Sequence, residues 1–115
     1  MVFSIFMGPN GFEFDNMFVY PTMLSKSTSE ITVNSKRFMI SIDYSVGLNQ
    51  NEIHKIKINN TKVNENDTII LNVCNNVDNL LLYPNNITEG QCNICLKNVG
   101  TNITDTANVS VLVLT

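Results

Sequence analysis

Few residues in this chain are of types that do chemistry, and their spacing is what must be weighed first. His54 is the single histidine, and a histidine acts in acid–base or nucleophilic catalysis only when a nucleophile and an orienting group reach it. No serine or cysteine near it has the local context of a nucleophile elbow or of a papain-like site. Its neighbours Ile53, Lys55 and Ile56 suit a strand, so the reading favoured is a structural histidine, with a hydrolase of unknown type as the remote alternative. Cys92 and Cys95 form a CxxC pair, but they sit in an alternating run. In an extended strand, residues three apart lie about 10 Å apart at Cα and point to opposite faces, beyond the roughly 7 Å that a disulfide tolerates. With Cys74 the cysteines number three, so full pairing is excluded and all are expected as free thiols. No metal site is expected from them. Asp43, Glu52, Asp67 and Glu89 are scattered, and no spacing among them argues for paired-carboxylate catalysis. No glycine-rich loop cradles a phosphate, and neither Asn64–Asp67 nor Asp78–Asn79 completes a calcium loop, which leaves calcium as a weak candidate. The reading is a non-enzymatic chain with no cofactor.

The elements that hold these residues are short and β-rich. Ile53–Ile58 and Thr68–Val73 flank a polar connection, and Gln91–Lys97 and Asn108–Leu114 follow after turns built on Asn, Asp and Gly. Phe38, Ile40, Ile42 and Tyr44 share one face. So do His54, Ile56 and Ile58; Ile69, Leu71 and Val73; and Cys92, Ile94 and Leu96, with Cys95 outward. This period of two predicts one buried face per strand. Leu80–Tyr83 reads as a run buried on both sides, ended by Pro84–Asn86. No long stretch carries apolar residues at helical spacing. The fold expected is all-β, an antiparallel β-sandwich of jelly-roll-like or Ig-like kind, with seven to nine strands and little helix.

A chain of 115 residues makes one domain and buries roughly two thirds of its unfolded surface. Charged residues make up 15% of it, below the roughly 25% usual in soluble chains, and asparagine fills the polar positions instead. A net charge of −3 with seven Lys and Arg leaves no basic patch, which argues against nucleic acid. The apolar run Met1–Phe6 is too short for a signal core or a membrane span. Phe3, Phe6, Phe12, Phe14 and Phe18 crowd the start of the chain around a Pro9–Asn10–Gly11 turn. They either complete the core or anchor the domain to a partner. Residues 1–30 are accordingly divided off as an aromatic arm or first strands with the polar connector Ser25–Glu30, and 31–115 as the sandwich body. In the last strand Val109, Val111 and Val113 take one face while Leu112 and Leu114 take the other, so both faces call for cover. Leu112 and Leu114 join the five phenylalanines as candidate interaction residues. Sequons begin at Asn59, Asn66, Asn86, Asn102 and Asn108, a pattern that a chain rich in Asn, Ser and Thr produces by chance.

The strand–turn–strand from Ile58 to Ile70, the run Ile87–Asn102 and the closing strand through Leu114 resemble a β-sandwich domain at the ends of virion structural proteins. Such domains occur in tailed phages and other large double-stranded DNA viruses. The resemblance covers about half the chain, departing from the pattern between Asn72 and Pro84 and in its strand cysteines. It implies a capsid decoration, cement or head-fibre component located in the virion. Such a component binds capsid or other virion proteins or its own copies, a trimer being favoured, without catalytic residues. The alternative from another class is a carbohydrate-binding or adhesin module, whose glycan would sit on the loops Asn75–Asn79 and Asn98–Asp105.

Overall fold

A computed structural model describes residues 23–75 and 77–115. Eight strands account for its regular structure: β1 (Leu24–Ser25), β2 (Glu30–Thr32), β3 (Arg37–Asp43), β4 (Ile53–Asn59), β5 (Thr68–Val73), β6 (Leu80–Thr88), β7 (Gln91–Asn98) and β8 (Thr106–Leu114). They form two four-stranded sheets, ordered β1-β3-β8-β5 and β2-β4-β7-β6. The expected all-β sandwich is what forms. Its body is antiparallel, whereas the short edge strands β1 and β2 run parallel to β3 and β4.

The period-two pattern explains the layers. In the first sheet the row Phe38–Val111–Leu71 is followed by Ile40–Val109–Val73. In the second, His54–Leu96–Leu82 is followed by Ile56–Ile94–Pro84. These inward rows meet between the sheets, where Phe38, Ile40, Ile56, Ile94 and Val109 have no exposed surface. Each fully buried aliphatic side chain stabilises by about 1.5–3 kcal/mol relative to leaving it in water. Leu48, Val63 and Ile103 close the ends of the core from loops, and Leu48 and Ile103 exchange backbone hydrogen bonds of 2.8 and 3.0 Å.

From β3 to β6 each strand passes to the opposite sheet, β6 and β7 form a hairpin, and β8 returns beside β3. This nested winding is of the jelly-roll kind. It places the loops 44–52, 74–79 and 99–105 and the link from β1 to β2 at one end of the sandwich, and 60–67 with the β6–β7 turn at the other.

Three local readings change. Pro84 does not end its strand: it lies opposite Ile94, and β6 continues to Thr88 through a register shift after Asn85. An edge strand tolerates proline because its missing N–H can fall on the unpaired side. The run Leu80–Tyr83 is not buried on both sides, since β6 is an edge and Leu81 is half exposed. Ser25–Glu30, read as a connector between arm and body, contributes to both sheets, and Leu24 is in the core beside Ile42.

Candidate functional site

At the loop-rich end, the polar side chains are organised around His54. β4 turns its imidazole inward to a largely buried position. Nε2 lies 2.6 Å from the Thr28 carbonyl oxygen, an atom that only accepts, so Nε2 carries the proton. Nδ1 of the neutral ring then accepts from the Tyr44 hydroxyl at 2.8 Å, and the two rings meet edge to face at 5.6 Å between centroids. Burial lowers the His54 pKa, partly opposed by the Thr28 carbonyl and by Glu52. Burial likewise pushes the Tyr44 phenol well up, with the Glu52 charge adding to the shift.

Beside this pair, Lys26 Nζ reaches Glu52 at 2.8 Å and the Gly47 carbonyl at 2.8 Å. The Lys26 hydrogen bond and the Asn49 backbone N–H together hold the Glu52 carboxyl below its ordinary range. The arrangement ties the link from β1 to β2, through Lys26 and Thr28, to the loop 44–52 and to β4. Both imidazole nitrogens are committed to this work. The chemistry is that of a fastener rather than of a base poised toward a substrate.

Two asparagines play a part that turn composition alone does not reveal. Asn98, fully buried, donates from Nδ2 to the carbonyls of Leu48 (2.7 Å) and Thr101 (2.8 Å) and accepts from Gly100 N–H (2.9 Å). At the opposite end buried Asn60 donates to Ser35 O at 2.7 Å and accepts from Lys62 N–H at 3.0 Å. Each amide replaces water for backbone groups that a crossing loop would otherwise bury unpaired.

The loops Asn75–Asn79 and Asn98–Asp105 meet at this same end. Val99 N–H donates to Asn79 O at 2.8 Å, and Gly100 lies so close to the Asn79 side chain that a Cβ there would collide with it. Next to that contact runs an open groove of about 410 Å³ between the edges β5 and β6, lined by Leu71, Val73, Val77, Asp78, Leu80 and Leu82 among others.

The cysteines are all free. Cys74 is exposed, and Cys92 points into the core, where burial pushes its thiol up to about 11. Cys95 faces outward as expected, yet it too is buried. It occupies the central strand β7 between Lys55 and Tyr83. Among the described residues no three His, Cys, Asp or Glu side chains gather as metal ligands would. Asp43 and Asp67 cap turns through Ser45 N–H and Asn64 N–H.

Of the expected interaction residues, Phe3, Phe6, Phe12, Phe14 and Phe18 lie outside the described residues. Leu112 and Leu114 stand on the outer face of the first sheet, Leu112 half-buried and Leu114 44% exposed. Ile70, also 44% exposed, is paired directly with Leu112. The three make an apolar patch on the outside of β5 and β8, and Ile70 was missed because only tertiary register joins it to the other two. Compared with known proteins, the chain matches no protein-family model, no curated sequence and no solved structure.

Proposed function

We propose that this chain is a non-enzymatic virion structural protein, a small capsid decoration, cement or head-fibre component that works by packing its surfaces against capsid or against its own copies. The observation that carries the packing part is the outward apolar patch of Ile70, Leu112 and Leu114. Large side chains held in water forgo about 1.5–3 kcal/mol each that contact with another surface recovers. The virion location is supported by the resemblance of Ile58–Ile70, Ile87–Asn102 and the closing strand to such domains. Co-sedimentation of the purified protein with virus particles tests it. Retention on particles is expected, with loss on Leu112→Asp in a variant that keeps its β-type circular dichroism. A protein that never associates with particles ends this reading.

The groove between β5 and β6 favours a second reading, a glycan-binding module. Its volume of about 410 Å³ is within the range of small-molecule sites, and Asp78 and Asn79 offer polar groups at its rim. Specific binding on a glycan array, abolished by Asp78→Ala, together with no retention on particles, would decide for this alternative.

A further inference from the structure

The four sheet edges differ in how they are protected. Exposed strand edges template pairing with other chains, and folded proteins blunt them by shortness, charge, proline or bulges. β1 and β2 have two and three residues. β6 contains Pro84, a register shift after Asn85 and Asn86 at φ 50°. β5, Thr68-Ile69-Ile70-Leu71-Asn72-Val73, has no charge, proline, glycine or bulge.

The free side of β5 can be identified residue by residue. Cys74 N–H donates across to Asn108 O at 2.8 Å, so Thr68, Ile70 and Asn72, which alternate with it, turn their backbone groups toward β8. Ile69, Leu71 and Val73 turn theirs away from the sheet. Among the described residues no backbone group takes up that side.

We infer that β5 pairs antiparallel with β5 of a second copy of this chain about a two-fold axis, joining the two first sheets into one continuous sheet. The inference deepens the self-association half of the proposed function and rests on it. A two-fold axis sets each residue near its own copy, so any charge on the strand would face itself; β5 carries none. With Leu71 opposite Leu71 of the second copy and Ile69 opposite Val73, all the outward backbone groups find partners, each pair exchanging both bonds. On the outer face Ile70 then falls opposite Asn72 of the second copy and diagonal to its Ile70, and the apolar patch at Leu112 and Leu114 becomes continuous with the junction. Arg37 is two strands removed, beyond Leu112, so its charge is not brought to the seam.

The test uses the whole 115-residue chain. Sedimentation velocity at micromolar concentration should give a dimer. Ile70→Lys and Ile70→Asp should each sediment as folded monomers, because like charges then lie within roughly 8 Å across the axis. Mixing the two variants should restore the dimer, since each junction then joins lysine to aspartate. Asn72→Lys and Asn72→Asp, at an already exposed polar position, repeat the experiment if the Ile70 variants fail to fold. A monomeric or trimeric wild type, dimers that survive the single charges, or a mixture that stays monomeric overturns the pairing. A dimer that behaves in this way but never binds virus particles removes the virion reading and leaves the edge pairing standing.

Discussion

At the scale of the residue, the polar side chains that matter are those that replace water where loops cross the ends of the sandwich. His54 stays neutral in the fold because burial disfavours its charge. Its folded pKa lies below the ordinary 6.5, so above that pH the group is neutral folded or unfolded and affects nothing. As pH falls below 6.5 the unfolded chain takes up the proton first, and stability declines until the folded pKa is passed. Urea midpoints measured from about pH 8 to pH 5 should therefore fall on acidification, and His54→Asn should flatten that slope. Asn98 makes a sharper case. Asn98→Asp would set a carboxylate against the Leu48 and Thr101 carbonyls that now accept from Nδ2. Asn98→Ala would leave the Thr101 carbonyl and Gly100 N–H without their present partner and the Leu48 carbonyl with only Ile103 N–H, at about 1–3 kcal/mol for each unpaired group that water cannot reach. Chemical denaturation should rank wild type above Asn98→Ala and Asn98→Ala above Asn98→Asp.

At the scale of the element, two glycines show different reasons for the same residue type. Gly90 closes the β6–β7 hairpin with φ +84° and nothing within 4 Å of where a Cβ would stand. Gly90→Ala should cost about 1 kcal/mol from backbone strain alone, without disturbing packing. Gly100→Ala acts differently, since its methyl would press on the Asn79 side chain and separate the loops that the Val99–Asn79 hydrogen bond joins. Amide exchange at Val99 should quicken in that variant and stay unchanged in Gly90→Ala. β6 carries a related lesson: a proline inside a strand marks an edge, and here the chain continues past it to the hairpin.

At the scale of the whole molecule, the winding puts each cysteine in a different setting. Cys74 lies at an exposed strand end, Cys92 in the core and Cys95 under its neighbours on the outer face. A thiol reagent should modify one cysteine quickly in the native protein and all three after unfolding without reductant; a single reactive thiol in the unfolded state would reveal a disulfide. Among the described residues the same winding leaves β5 and β6 as neighbouring edges, one without proline, charge or bulge and one interrupted by proline. The trimer expected from the family resemblance and the two-fold pairing expected from β5 predict different masses, so one sedimentation experiment separates them.

Strand identity and facing were legible in the sequence, because a period of two is a local property: Phe38, Ile40 and Ile42, or Val109, Val111 and Val113, declare their buried face without reference to any other strand. The separation of Cys92 from Cys95 was legible for the same reason. Neighbourhood was not. Which strand stands beside β8 decides that Ile70 joins Leu112, and which loop crosses which decides that Asn98 is a buried fastener rather than a surface amide. Cys95 shows both sides of this: alternation correctly set its side chain outward, but only the central place of β7, between Lys55 and Tyr83, buries it. Facing follows from backbone geometry over a few residues, whereas burial of an outward side chain and exposure of an edge depend on strand order, which is decided by contacts between residues far apart in the chain.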